Sequence, residues 1–149
     1  MLTAKDIMTV GIITVSPDTD VTRAARLLLE KHINGVPVVD TSGKLAGILC
    51  QSDLIAQQKK ISLPSLFVLL DGFISLSSTK HLDKEFKKIA AIKVSDAMTA
   101  DPVTVSPDTT LEEIATLMVN RGFHTIPVVE DDRLVGVIGK ADVLKTIIS

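Results

Sequence analysis

Two aspartates, Asp53 and Asp142, occupy equivalent places in two similar stretches of the sequence, GILCQSD and GVIGKAD. In each stretch a short apolar run typical of a strand ends, and the aspartate follows at the predicted start of a helix. A carboxylate in the first turn of a helix stabilises that helix through its free N–H groups. A carboxylate can also accept hydrogen bonds from both hydroxyls of a ribose. Local chemistry therefore leaves two roles open, a helix cap and a ribose ligand.

The other reactive side chains form no catalytic or metal-binding motif in the sequence. His32, His81 and His124 are isolated, without the spacing of metal ligands. The Ser-Asp pairs that begin at Ser52 and Ser95 lack a neighbouring base, which favours helix caps over nucleophiles. Neither a P-loop nor a GxGxxG loop is present. The sequence therefore predicts a protein that is not an enzyme.

Cys50 is the single cysteine, so the chain has no internal disulfide and its composition is typical of a reducing compartment. Its place at the end of an apolar run favours a buried, inert thiol over a reactive one. No apolar run approaches the ~18 residues of a membrane span. The first residues also lack the layout of a signal peptide. We expect a cytoplasmic protein without a membrane span.

The composition argues against direct contact with nucleic acid. The chain has 149 residues, 16 Lys and Arg against 18 Asp and Glu, and a net charge of −2. Nucleic-acid-binding domains usually carry a basic stripe. Stacking of bases also requires aromatic side chains, and the chain has no Trp, no Tyr and 4 Phe.

Four blocks of the first half of the chain return about 90 residues later in the second half. The pairs are DIMT at 6–9 and DAMT at 96–99, TVSPDT at 14–19 and 104–109, GVPVVD at 35–40 and TIPVVE at 125–130, and KLAGILCQSDL at 44–54 and RLVGVIGKADV at 133–143. The second repeat is one residue shorter in the turn between its third and fourth blocks. A surface hairpin turn tolerates such a change in length. We predict two repeats, 1–57 and 93–149, that flank an insertion, 58–92.

Each repeat has the pattern β-α-β-β-α. The predicted strands are 12–15, 36–39 and 46–49 in the first repeat, and 103–105, 126–129 and 135–138 in the second. The first helix of each repeat has apolar residues at i, i+3, i+4 and i+7, which are Val21, Ala24, Ala25 and Leu28, then Leu111, Ile114, Ala115 and Met118. Thr110 and Glu113 form a predicted capping box, and Asp20 is the predicted N-cap of the other helix.

Each repeat alone is too small to bury its apolar faces well. We therefore predict a mixed α/β (α+β) fold in which the two repeats pack with pseudo-two-fold symmetry and leave a cleft between them. The insertion 58–92 is predicted to be partly helical, with an apolar stretch at 66–76 and an amphipathic helix at 81–92 that aligns Leu82, Phe86 and Ile89. Two roles are open for the insertion: packing against the flank of its own module, or forming a dimer or partner surface that includes Phe73.

Taken together, DIMT, TVSPDT, GVPVVD and the GIL-to-Asp block resemble the cystathionine β-synthase (CBS) domain family. Two copies in one short chain, at 3–57 and 93–149, resemble a stand-alone bacterial or archaeal tandem pair, also called a Bateman module. The resemblance implies a homodimer and the binding of adenosine-containing ligands (AMP, ADP, ATP or S-adenosylmethionine) in the inter-repeat cleft. The ligand is implied to be regulatory rather than a cofactor, and its occupancy to be coupled to an unidentified partner protein.

The resemblance also assigns residues to the ligand. The ribose-binding acids are Asp53 and Asp142. The adenine-lining positions are Ile12, Ile13, Gly35, Val36 and Pro37 in one site, and Pro102, Val103, Thr125, Ile126 and Pro127 in the other.

The phosphate contacts depart from the pattern of the family. Many members have Ser or Thr three residues before the ribose acid, where this chain has Cys50 and Gly139. His124 matches a phosphate-contacting histidine of the family, and Lys140 is a second candidate cation. Each of these two side chains also has an ordinary interpretation as a solvated surface residue. Because both belong to the second repeat, we expect the Asp142 site to favour charged nucleotides.

Two other functions remain open at this stage. The module can act as a constitutive dimerisation or scaffold unit with no ligand. Alternatively, it regulates a partner that contacts DNA, since this chain has no DNA-binding motif of its own.

Overall fold

The computed structural model describes residues 1–58 and 92–148 of the chain. The predictions for the stretch 66–76, which includes Phe73, and for His81, Leu82, Phe86 and Ile89 lie outside these described residues. In the first range the elements are α1 (Ala4–Ile7), α2 (Val21–Glu30), β1 (Gly35–Val39), β2 (Leu45–Cys50) and α3 (Gln51–Gln58). In the second they are α4 (Val94–Ala97), β3 (Thr99–Ala100), α5 (Leu111–Arg121), β4 (Thr125–Glu130), β5 (Arg133–Gly139) and α6 (Lys140–Ile148).

The predicted mixed fold is confirmed, but the first predicted strand of each repeat is much shorter than expected. Only Val15 and Val105 pair there, each through a single parallel bridge, to Val38 and Val128 respectively. The chain turns away directly after Val15, because the Ser16 N–H donates to the Thr19 hydroxyl at 3.1 Å. The Ser-Pro turn that ends each segment therefore begins before a longer ladder can form.

Helix α2 follows the predicted apolar pattern fully, whereas Leu111, Ala115 and Met118 of α5 are only partly buried. Val21, Ala24, Ala25 and Leu28 of α2 are buried, and so is Ile114 of α5. The capping box of α5 is confirmed, since the Glu113 N–H donates to Thr110 Oγ1 at 3.2 Å and the Thr110 N–H to Glu113 Oε2 at 3.4 Å.

The predicted N-cap residue of α2, Asp20, is confirmed, but its side chain has a different partner. Asp20 stands at the N-cap position, but its side chain makes no capping bond. Its carboxylate instead accepts a hydrogen bond from Lys93 Nζ at 2.6 Å. An ammonium is a stronger partner for a carboxylate than a backbone N–H, and the segment before α4 brings it to this position.

The two β-hairpins form as predicted. β1 pairs antiparallel with β2, and β4 with β5, with a register shift after Val38 and after Val128. The first turn is closed by Asp40 Oδ1, which accepts hydrogen bonds from the Ser42 N–H and the Lys44 N–H, and by Gly43 at φ +84°. The second turn is shorter and places Asp131 and Asp132 at positive φ, as a tight hairpin turn requires.

The segment that begins each repeat packs on the other repeat. Thr9 bridges Val137 of β5, whereas Thr99 of β3 pairs with Ile48 of β2. The two apolar cores are mixed in the same way. Val94 is fully buried among first-repeat residues, and Ala4 is fully buried among second-repeat residues. The sequence repeats are therefore interleaved in space.

The two hairpins meet where β1 and β4 begin. Gly35 and Thr125 are equivalent positions, and a Cβ on Gly35 would lie 3.2 Å from Thr125 Oγ1. The absence of a side chain at Gly35 thus leaves room for the Thr125 side chain where the strands approach closely. This contact lies at the centre of the predicted pseudo-two-fold arrangement, and a cavity opens on each side of it.

Candidate functional site

Asp53 is the third residue of α3 and caps the beginning of that helix. Its Oδ2 accepts the Cys50 N–H at 2.8 Å, and its Oδ1 accepts the Thr99 hydroxyl at 3.1 Å. The donor Thr99 comes from the segment that crosses over from the second repeat. The side chain is thus held in one orientation by both halves of the molecule.

Asp142 has the same arrangement in the second repeat. Its Oδ2 accepts the Gly139 N–H at 2.8 Å, and its Oδ1 accepts the Thr9 hydroxyl at a longer 3.3 Å. An ionised carboxylate has about four acceptor positions on its two oxygens. The capping bonds therefore leave acceptor positions open, and a structural role does not conflict with a ligand role.

Each aspartate lies in the wall of a cavity. The Asp53 cavity has a volume of about 540 Å³, and it is lined by Asn34, Ile48, Cys50, Gln51, Ser52, Asp53, Ile55, Thr99, Asp101, Pro102, Val103, Arg121, Gly122, Phe123, His124, Thr125 and Lys140. The Asp142 cavity has a volume of about 290 Å³, and it is lined by Thr9, Gly11, Ile13, His32, Ile33, Asn34, Gly35, Pro37, His124, Thr125, Val137, Gly139, Lys140, Ala141, Asp142 and Lys145.

Each cavity combines the acid of one repeat with the apolar wall of the other. Pro102, Val103 and Thr125 of the second repeat line the Asp53 cavity. Ile13, Gly35 and Pro37 of the first repeat line the Asp142 cavity. This pairing across the repeats follows from the interleaved packing.

Four of the predicted adenine-lining residues reach neither cavity: Ile12, Val36, Ile126 and Pro127. Val36 and Ile126 are fully buried in the first and second core, respectively. Side chains alternate between the two faces of a strand, so Gly35 and Pro37 face a cavity while Val36 between them faces the core.

The two candidate phosphate contacts are not confined to the Asp142 site. His124 and Lys140 line both cavities. The position of these two residues therefore does not distinguish the two sites, and the preference of the Asp142 site for charged nucleotides stays a prediction. The reason is geometric: both residues lie where the two repeats meet, rather than deep within the second repeat.

Sequence reasoning missed several polar residues of the two cavities. Arg121 lines the Asp53 cavity and lies 5.5 Å from the centre of the Phe123 ring. His32 and Lys145 line the Asp142 cavity. Thr9 and Thr99 were also missed, although both close the repeated DIMT and DAMT blocks.

Cys50 lines the Asp53 cavity and is half-buried. Burial, and to a lesser extent the negative charge of Asp53, raises the pKa of the Cys50 thiol to about 11. The thiol therefore stays protonated at neutral pH, which makes it a poor nucleophile. It forms part of the wall rather than a reactive centre.

Two wider grooves lie on the outer faces of α2 and α5. The groove beside α2 has a volume of about 720 Å³ and contains Arg23 and Arg26, and its counterpart beside α5 has about 640 Å³ and contains Glu112 and Glu113. Neither groove contains Asp53 or Asp142, and each is built almost wholly from one repeat. The two inner cavities are therefore the better candidate sites.

A family model for the CBS domain matches residues 4–60 and 94–149. The chain belongs to the CBS domain family. An uncharacterised protein of Methanocaldococcus jannaschii is 30% identical over 154 residues, which cover 97% of this chain and 90% of that protein. The inosine-5'-monophosphate dehydrogenase of the same organism is 32% identical over 143 residues, which cover 95% of this chain but 23% of the enzyme.

The chloroplast CBS domain-containing protein CBSX2 of Arabidopsis thaliana is 32% identical over 136 residues, and the match covers 88% of this chain and 56% of CBSX2. The crystal structure of CBSX2 in complex with AMP has a TM-score of 0.75 and 29% identity, and covers 99% of this chain and 97% of that one. The predicted resemblance to a tandem CBS pair is confirmed. Among the described residues, no helix is long and apolar enough to cross a membrane.

Proposed function

We propose that this CBS pair is a regulatory module that binds an adenosine-containing ligand in the cavities between its repeats. The observation that carries the proposal is the pair of cavities in which a fixed aspartate of one repeat faces an apolar wall of the other. The likeness to CBSX2, whose crystal structure contains AMP, supports the choice of ligand class. The ligand is AMP, ADP, ATP or S-adenosylmethionine.

In this proposal the aspartate holds the ribose. Its orientation is set by one backbone N–H and one threonine hydroxyl before the ligand arrives. A preorganised carboxylate binds a diol with less loss of side-chain entropy than a mobile one. Hydroxyl donors of the ribose then occupy the acceptor positions that the capping bonds leave open.

The base and the phosphates occupy the remaining walls. In the Asp53 cavity, Pro102 and Val103 supply apolar surface for an adenine ring. Lys140 supplies an ammonium and His124 a ring N–H as hydrogen-bond donors for a phosphate. A volume of about 540 Å³ lies within the range of about 300–1,000 Å³ that is typical of small-molecule sites.

We further propose that occupancy is coupled to a partner protein. A ligand that contacts both repeats binds one relative orientation better than another, and this difference shifts the population of the module. The match to 23% of an inosine-5'-monophosphate dehydrogenase supports this view, because there a similar pair accompanies a much larger enzyme. The reaction itself then belongs to the partner and not to the module.

Thermal unfolding with and without ligand tests the proposal. An adenosyl compound at 100 times its dissociation constant stabilises a protein by ~2.7 kcal/mol. For a chain of this size we therefore expect the Tm to rise by about 5–10 °C with at least one of AMP, ADP, ATP, adenosine and S-adenosylmethionine.

The matched control is the double variant Asp53→Asn/Asp142→Asn, which retains an acceptor oxygen for the helix cap but loses the charge in both cavities. Its Tm should respond much less to the same compounds. If the unmodified protein shows no shift with any of them at millimolar concentration, the ligand proposal is contradicted. The alternative, a constitutive dimerisation or scaffold module with empty cavities, then remains.

A further inference from the structure

The two cavities share one wall. Asn34, His124, Thr125 and Lys140 line both of them. Two equivalent backbone bonds hold this wall, from the Gln51 N–H to the Asn34 carbonyl at 3.0 Å and from the Lys140 N–H to the His124 carbonyl at 3.2 Å. The first residues of α3 and α6 are therefore fixed beside the starts of β1 and β4.

The shared wall is symmetric in its backbone but not in its charge. Asn34 and His124 are equivalent positions of the two repeats, and so are Gln51 and Lys140. Among the residues that line both cavities, only those of the second repeat, His124 and Lys140, have side chains that can carry a positive charge. The wall thus offers one lysine ammonium where a symmetric pair of sites would have two.

Each cavity also has a cationic residue that the other lacks. Arg121 lines only the Asp53 cavity, and Lys145 lines only the Asp142 cavity. Both cavities can therefore accept an anionic ligand on their own. The lysine that they have in common is Lys140, an exposed side chain on a flexible stem.

We propose that Lys140 serves both cavities, so that two phosphate-bearing ligands compete for it and bind with negative coupling. The inference rests on the proposed adenosyl-binding function and describes how that function is regulated. Once the first phosphate has engaged the ammonium, the second ligand loses a charge-assisted hydrogen bond. It also meets the negative charge of the first phosphate that the single ammonium does not offset. Uncharged adenosine has no phosphate and binds without this coupling.

Calorimetric titration of the full chain with AMP and with adenosine tests the inference. The variants Asp53→Asn and Asp142→Asn each weaken one site, so they give the affinity of the remaining site on its own. In the unmodified protein the second AMP should bind about tenfold more weakly than these single-site values predict. The two adenosine affinities should agree with the single-site values.

The variant Gln51→Lys supplies the missing ammonium at the equivalent position of the first repeat. We expect it to tighten the second AMP about tenfold relative to its effect on adenosine. The matched control is Asn120→Lys, which adds the same charge on α5 outside both cavities. The complementary variant Lys140→Gln should weaken AMP at both sites and bring the first and second AMP affinities closer together.

The outcomes separate this inference from the proposed function. If AMP fills two independent sites in the unmodified protein, or if Gln51→Lys behaves like Asn120→Lys, the shared-lysine inference is overturned while the ligand proposal stands. If neither AMP nor adenosine binds, the proposed function fails and the inference fails with it.

Discussion

At the scale of single residues, the two aspartates make structural hydrogen bonds through both carboxylate oxygens and still have acceptor positions open for a ligand. Asp53 uses Oδ2 for the Cys50 N–H and Oδ1 for the Thr99 hydroxyl. The sequence predicts the aspartates because the cap pattern is local. It does not predict the threonine partners, because Thr99 lies 46 positions from Asp53 and Thr9 lies 133 positions from Asp142. Contacts over such separations depend on the fold.

The Thr99 hydroxyl provides the first prediction at this scale. Thr99→Val retains the shape of the side chain but removes the donor to Asp53 Oδ1. We expect unfolding to cost about 1 kcal/mol less than in the unmodified protein, the usual value of one hydrogen bond. We also expect adenosine to bind several-fold more weakly in the Asp53 cavity, because the carboxylate loses its fixed orientation. Urea unfolding and calorimetry measure the two effects.

Two further variants make this experiment specific. Thr99→Ser restores the hydroxyl and should recover both stability and affinity. Thr9→Val should cost less than Thr99→Val, because the Thr9 bond to Asp142 is longer, at 3.3 Å against 3.1 Å. Equal effects of Thr99→Val and Thr99→Ser would show that the hydroxyl does not position Asp53.

At the scale of elements, hydrophobic periodicity predicts the longer helices and the hairpins well. The buried stripe of α2 and the Thr110–Glu113 box of α5 follow from local spacing alone. The four-residue helices α1 and α4 do not have enough turns for such a signal. They form because Ala4 and Val94 enter the core of the opposite repeat, and that burial stabilises a helix too short to be stable alone.

Because α1 and α4 each pack in the core of the opposite repeat, the contribution of Val94 to stability can be predicted. Val94→Ala removes two methyl groups from a fully buried position and should destabilise the protein by about 2 kcal/mol, which is ~0.8 kcal/mol per group plus the cavity that remains. Thermal unfolding measures this loss. The matched control is Val10→Ala at a position that is 68% exposed, where the change should stay within about 0.5 kcal/mol.

Double variants then locate Val94 in one core. Val36 lies in the same apolar cluster as Val94. For Val94→Ala combined with Val36→Ala, the change in the free energy of unfolding should differ from the sum of the single changes by more than about 0.5 kcal/mol. Val94→Ala combined with Ile138→Val, in the other cluster, should be additive within that margin. The opposite pattern would contradict the assignment of α4 to the first core.

At the scale of the whole molecule, the sequence predicts that there are two sites but not how each one is composed. Ile13, Gly35 and Pro37, which the resemblance assigns to one site, line the Asp142 cavity together. The acid that they face belongs to the other repeat. The ranges 1–57, 58–92 and 93–149 are defined from the repeated sequence blocks. As boundaries of structural domains they stay a prediction.

The predicted homodimer stays a proposal at this scale. Helices α3 and α6 expose large apolar side chains: Ile55 is 62% exposed, Leu144 60% and Ile147 75%. Such exposed side chains are a common feature of interfaces. We expect a dimeric mass in light scattering, and a shift towards monomer in Ile147→Asp.

The control for this experiment is Val10→Asp, which places the same charge at an exposed position outside these helices. It should remain dimeric. A monomeric mass for the unmodified protein at high micromolar concentration would contradict the dimer itself. A dimer that tolerates Ile147→Asp would contradict the placement of the contact on α6.

The interleaving of the two repeats also determines the order in which the chain can fold during its synthesis. The first apolar core includes Val94, so residues 1–58 cannot complete it when they leave the ribosome. The Ala4 N–H bonds to the Thr109 carbonyl, which closes a loop of more than a hundred residues. Contacts so far apart in sequence raise the contact order and slow folding. A nascent chain therefore carries two incomplete cores until most of the second repeat has emerged, and the two halves then fold together.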